Sequence, residues 1–160
     1  QPEVLPTPAE VFADAPDPRA KYWANQRPFD IRYVNGPIYL DIPGPHVARQ
    51  AIWMRCLDPL PADPNIHLAA LAYASDYPIL EPIYRRHGIV WATPGIRVAS
   101  LDHSVWFRKD GRMDDWVLYA LESPSSAKGR GLSIGRIYNR QGELLATVAQ
   151  EGLIRVPHQD

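Results

Sequence analysis

Asp76 and Gln150 are the two positions where residue type and surroundings disagree most. Asp76 closes the run IHLAALAYASD, beside the negative end of a helix, where a carboxylate is disfavoured by about 0.3–1 kcal/mol. Two readings are open: an exposed acid that starts the next turn with Tyr77-Pro78, or a buried general base. Gln150 lies in the last apolar run, where Leu144, Ala146, Val148, Gln150, Gly152 and Ile154 share one face under the two-residue alternation of a strand. A buried amide needs partners. Either the face reaches solvent near its end, or Gln150 binds neighbouring main chain, or the amide, which both donates and accepts, orients a water.

Polar groups also crowd Ser100-Leu101-Asp102-His103-Ser104, between Val98 and Val105-Trp106-Phe107. Ser, His and Asp adjacent in one strand cannot form a catalytic triad, because successive side chains point to opposite faces and a triad converges from separate elements. His103 by itself reads as a packed, hydrogen-bonded histidine. The stretch Ser125-Ser126-Ala127-Lys128-Gly129-Arg130-Gly131 has small residues and two cations; it suits either a solvated hairpin turn or a phosphate held by backbone amides and charge. The five histidines are scattered and there is no CxxC, so no metal and no cofactor is expected. The single Cys56, in an apolar strand-like stretch, reads as an inert buried thiol.

These residues need elements to position them. Asp63-Pro64-Asn65 predicts a helix start, with Asp63 capping the free amides and Pro64 in the first turn. The apolar residues of IHLAALAYAS run nearly all the way round, so this helix is expected to be buried on most sides. Strands are predicted at Phe29–Val34 and Val47–Leu57. After the proline-broken stretch Tyr77–Pro94, four more strand-like runs follow at about Arg97–Arg108, Trp116–Glu122, Gly131–Asn139 and Leu144–Arg155. The turns between them, at Asp110-Gly111, Ser123 to Gly129 and Asn139 to Gly142, suit hairpins and make these runs antiparallel neighbours. The layout is α+β: a curved antiparallel sheet of five or six strands wrapped around a central apolar helix.

Composition limits what such a domain does. With 160 residues, 46% of them hydrophobic, and 17 basic against 18 acidic side chains, the chain is long enough for one domain with a real core. The near-zero charge disfavours nucleic acid. No run approaches the roughly 20 apolar residues of a membrane span, and no signal peptide is recognised. Of the 17 prolines, 12 lie in the first 64 residues. Residues 1–22 therefore read as a proline-rich linker or tail and residues 23–160 as the domain.

The runs LAYASDY, VASLDHSVWFR and DDWVLYALESPSSAKGRGLSIGRIYNRQGELLATVAQEGLIR, in that order, resemble the C-terminal half of the acyl-CoA thioesterase II family, the double hot-dog thioesterases. The resemblance extends over about Phe29 to Val156. It implies a hot-dog fold and hydrolysis of acyl-CoA to free fatty acid and coenzyme A. It also implies a catalytic Asp after the hot-dog helix, a hydroxyl residue on the strand entering the LDHS run, and a Gln in the final strand: Asp76, Ser100 and Gln150. The hydroxyl position is commonly Thr, so Ser100 departs from the pattern. The three would hold a water for attack on the thioester, with Lys128 and Arg130 as candidate partners of the coenzyme A phosphates.

The family joins two hot-dog units, and this chain matches the second. The implied partner is an N-terminal hot-dog half or a second copy of the chain, giving an oligomer. Two other functions fit the same fold. A noncatalytic acyl-CoA-binding or assembly module would keep the cavity without turnover. A hot-dog enoyl-CoA hydratase would carry D-x-N-P-x-H, whereas Asp76 is followed by Tyr77-Pro78-Ile79-Leu80-Glu81 and lacks the His. The ending Val156 to Asp160 has no Ser-Lys-Leu, which makes the cytoplasm the expected location.

Overall fold

Asp63 begins the predicted helix as expected: its side chain accepts from the Asn65 amide at 2.9 Å, and helix α3 runs Pro64–Asp76. This computed structural model describes residues 1–42 and 44–156; the C-terminal ending used for the location lies outside the described residues. Ahead of α3 come α1 (Pro8–Val11), α2 (Ala20–Asn25), β1 (Phe29–Tyr33) and β2 (Arg49–Cys56); after it come α4 (Glu81–His87) and β3 to β7. The later strands are β3 (Arg97–Ser100), β4 (Ser104–Phe107), β5 (Val117–Ala127), β6 (Arg130–Asn139) and β7 (Leu144–Arg155).

The strands form one antiparallel sheet in the order β1-β2-β5-β6-β7-β3, with β4 also on β7. Among the described residues seven strands appear where five or six were expected, because the Arg97–Arg108 run is broken. Ser100 pairs with Gly152 and Ser104 with Ala149, so four steps along one strand match three along the other. That extra residue flips the side-chain alternation after Ser100. The pairing of β5 with β6 and β6 with β7 follows the hairpin turns. The Asp110-Gly111 turn makes no hairpin: β4 lies on β7, away from β5.

The central helix is only part of what the sheet holds. In α3 the buried residues are His67, Leu71, Ala74 and Ser75, one face at helical spacing, while Ile66 and Tyr73 stay exposed. Burial on most sides is therefore not observed. Helix α4, in the stretch expected to be proline-broken, is the more deeply set, with Glu81, Pro82, Ile83, Tyr84 and Arg85 all buried. Pro82 falls in its first turn, where a missing N–H costs nothing.

Part of the expected N-terminal tail is packed. Thr7 and Glu10 form a reciprocal capping box for α1, and Phe12 and Ala20 are buried. Phe12, Trp23 and Tyr39 stack with ring centroids 4.6–5.6 Å apart. The prolines shape this segment without preventing three aromatic rings from burying each other. Cys56, at the end of β2, is buried; loss of solvent, helped by the Asp114 carboxylate, pushes its thiol up to about 11.

Candidate active site

Asp76, Ser100 and Gln150, which are 24 or more residues apart in sequence, line one cleft of about 440 Å³. Asp76 arrives as the last residue of α3, Ser100 as the last of β3, and Gln150 from the inner face of β7. Tyr22, Trp23, Tyr73, Tyr77 and Trp91 give the rest of the wall an aromatic character, with Arg27 among them. The Arg27 guanidinium lies 5.2 Å from the ring centres of Tyr39 and Tyr77, and it donates to the Tyr39 hydroxyl.

Gln150 is 1% exposed, as its place in the alternation requires, and both ends of its amide meet side chains. Nε2 donates to Ser100 Oγ at 2.8 Å, and Oε1 meets His103 Nδ1. The readings of a solvent-facing or main-chain-bound amide therefore fall away. Of the two readings of Asp76 the exposed acid is the one found: its side chain is 57% exposed, not buried. It shares the outward side of α3 with Tyr73, and both stay exposed among the described residues. Its carboxylate Oδ1 stands 3.9 Å from His103 Nδ1 and also helps raise the Tyr119 hydroxyl pKa, for which burial is the larger cause.

The Ser-His-Asp cluster separates into different tasks, consistent with the exclusion of a triad. Asp102 accepts from the Glu151 amide at 2.8 Å, which with Leu101 N donating to Glu151 O at 2.9 Å fixes the break between β3 and β4 to β7. His103 turns inward, with Nε2 2.9 Å from Ser75 Oγ. It is the hydrogen-bonded histidine predicted, but it touches the site, which the sequence reading did not foresee. In an unbroken strand Ser100 and His103, three apart, would face opposite ways. The extra residue puts both on Gln150.

Lys128 and Arg130 lie elsewhere. They line a second cleft, of about 360 Å³, with Ile83, His87 and Arg155. β5 continues past the expected turn to Ala127, so the hairpin turns on Lys128 and Gly129 alone, both at positive φ (53° and 74°). Gln150 and Arg155 mark the two clefts on β7; five residues of strand separate them by about 17 Å.

Glu81 is a site-adjacent residue that sequence reasoning missed. It is fully buried on α4, accepting from Tyr33 Oη at 3.1 Å, Gln50 Nε2 at 3.2 Å and Trp91 Nε1 at 3.4 Å. Burial pushes its carboxyl up to about 7, against the lowering effect of the Gln50 bond and the Arg27 charge. Its signal was an acid followed by Pro82, which reads equally as a loop. Among the described residues no group of three or more His, Cys, Asp or Glu side chains is placed to hold a metal ion, and no helix is long and apolar enough to cross a membrane.

A family model described as acyl-CoA thioesterase matches residues 24–153. The chain belongs to the acyl-CoA thioesterase family. Acyl-CoA thioesterase 2 of Haemophilus influenzae is 36% identical over 149 residues, covering 91% of this chain and 51% of the relative. Human acyl-coenzyme A thioesterase 8 is 37% identical over 137 residues, covering 85% of this chain and 42% of the relative. Among solved structures, an acyl-CoA thioesterase II from Mycobacterium marinum superposes with a TM-score of 0.74 at 37% identity, over 100% of this chain and 55% of that one. A hot-dog-fold protein from Alicyclobacillus acidocaldarius, 21% identical with a TM-score of 0.68 over 98% of this chain and 53% of that one, shares the fold. The α+β, hot-dog architecture is thus that of this thioesterase family. The chain spans about half the length of the curated relatives it matches.

Proposed function

We propose that this chain supplies the C-terminal hot-dog unit of an acyl-CoA thioesterase, over about residues 23–160, and that Asp76, Ser100 and Gln150 activate a water for thioester hydrolysis. The observation that carries the reading is their convergence on one aromatic-walled cleft from three separate elements. The Asp76 carboxylate takes a proton as the water oxygen bonds to the thioester carbon, and Ser100 with Gln150 hold the reacting oxygens by hydrogen bonds. The tetrahedral intermediate then breaks its carbon–sulfur bond. Coenzyme A leaves as a thiolate that takes up the proton, and the fatty acid is released. Lys128 and Arg130, with Arg155 beside them, meet the phosphates, and the distance along β7 suits a long pantetheine arm between the two clefts. A cytoplasmic setting is part of this proposal.

The open side of Asp76 supports a partner. Tyr73, Leu101, Trp106 and Phe107 are 44–59% exposed, on α3 and on the strand edge beside the cleft. A second hot-dog unit, either the N-terminal half or another copy, would cover them and shield the carboxylate from water. The same openness favours the second reading, a unit that binds acyl-CoA but does not turn it over by itself.

The test is to measure the mass of the purified chain in solution and to assay the same sample for thiol release from short and long acyl-CoA substrates. An oligomer that releases thiol supports the enzyme reading. A folded species that binds acyl-CoA without release, even after an N-terminal half is supplied, would replace it with the binding module.

A further inference from the structure

The hydrogen bonds around Gln150 have a direction, and His103 sets it. An amide has one donor end and one acceptor end. Here the donor end, Nε2, is at Ser100 Oγ, and the acceptor end, Oε1, is at His103 Nδ1. An acceptor can face Nδ1 only if Nδ1 carries a proton. With the proton on Nε2 alone, His103 would present a lone pair to Gln150, and the amide would turn over to donate to it. Ser100 would then have to donate its own proton to the amide oxygen.

The far side of the ring tolerates both arrangements. Ser75 Oγ lies 2.9 Å from His103 Nε2 and also 2.8 Å from the Ala72 carbonyl, so its single proton can go to either. Asp76 Oδ1 also lies on the Nδ1 side of the ring, 3.9 Å away.

We propose, building on the function above, that His103 is a positioning residue: its Nδ1 proton locks the Gln150 amide so that Gln150 nitrogen and Ser100 hydroxyl both act as donors at the cleft, leaving Asp76 as the sole acceptor of the three. Ser100 accepts from Gln150 and so keeps its own proton for an oxygen in the cleft. The division of labour follows. Asp76 receives the proton of water, while the Ser100–Gln150 pair stabilises oxygen on which negative charge develops, without reorganising during the reaction. His103 never touches substrate.

Two measurements on the assembled, active protein test this. ¹⁵N NMR of histidine-labelled protein reads the tautomer directly, and the His103→Leu spectrum assigns the signal. Nδ1 bearing the proton at neutral pH is expected; a ring protonated on Nε2 alone would overturn the proposal whether or not the protein is a thioesterase. In thiol-release kinetics, His103→Leu lowers kcat by about 100-fold with little change in KM, in the range seen for loss of one oxyanion donor. His103→Asn, whose Nδ2 can occupy the Nδ1 donor position, recovers kcat to within about tenfold of the parent. In a Gln150→Ala background His103→Leu costs nothing further, because it acts through that amide. Losses that multiply instead would show that His103 acts by another route, and the positioning role would be discarded. If the assembled protein hydrolyses no acyl-CoA at all, the proposed function fails, and the tautomer still decides the direction of the relay.

Discussion

Gly131 of β6 lies directly across from Gly152 of β7, and the two bare backbones form the floor on which Ile83 and Leu80 rest. A Cβ on Gly152 would stand 2.5 Å from Leu80 Cδ1, so any side chain there must push the α3–α4 unit off the sheet or force Leu80 from its rotamer. Gly152 is also the register partner of Ser100, which ties the seating of the helices to the geometry of the cleft.

Overpacking at this point has a measurable cost. Gly152→Ala is expected to destabilise by about 1–3 kcal/mol, lowering Tm by roughly 3–10 °C. Shortening the obstructing side chain in the same protein, with Leu80→Ala, recovers part of that loss. Thermal unfolding of the two single variants and the double variant checks it, and strictly additive losses would refute the contact.

If Asp76 is the base proposed, its substitution separates catalysis from stability. Because its side chain is largely exposed, Asp76→Asn should leave Tm unchanged while lowering kcat by about 10²–10⁴-fold, the range for a lost general base. Unfolding curves and thiol-release rates on one preparation are enough, and an active Asp76→Asn enzyme would remove the carboxylate from the mechanism.

Glu81 sets a pH dependence of stability. Its folded carboxyl titrates near 7 against 4.5 when exposed, so the folded state binds the extra proton between these values. The stabilising contribution is complete below about pH 4.5 and is lost as pH rises through about 7. Denaturant unfolding should show this group's contribution falling by up to about 3 kcal/mol over that window. Glu81→Gln, which stays neutral, should flatten the slope; an unchanged slope would assign the dependence to other groups.

Lys128 places a strained backbone under the charge proposed to meet phosphate. Both central residues of its turn have positive φ, a geometry that suits Asn-Gly better than Lys-Gly. Lys128→Asn is expected to stabilise the fold by about 0.5–1 kcal/mol and to raise KM for acyl-CoA, with less salt dependence of KM than the parent. kcat should hold. Melting curves with KM measured at two ionic strengths check both halves, and an unchanged KM would clear Lys128 of phosphate binding.

Much of this site is written in local patterns. Gln150 is legible because one polar residue interrupts an otherwise apolar alternation, and the α3 start is legible because Asp63 and Pro64 act within a single turn. What escaped is nonlocal. No periodicity announces the single extra residue between Ser100 and Ser104, yet it decides that His103 faces Gln150. Helix α4 was hidden because Pro82 suits a first turn as well as a loop, and only packing on Gly131 and Gly152 distinguishes them. The choice between an exposed and a buried Asp76 stayed open for a related reason: apolar residues around a helix show that it wants cover, not which chain provides it.

Cys56 has a practical consequence at the bench. The reaction proposed releases a thiol, and thiols are counted with reagents that attack any accessible thiolate. The protein's single sulfhydryl is buried, and its titration near pH 11 leaves it almost wholly protonated at neutral pH. The folded chain is therefore nearly silent to the reagent that would report the proposed product, and any colour that appears without substrate is a direct readout of unfolding.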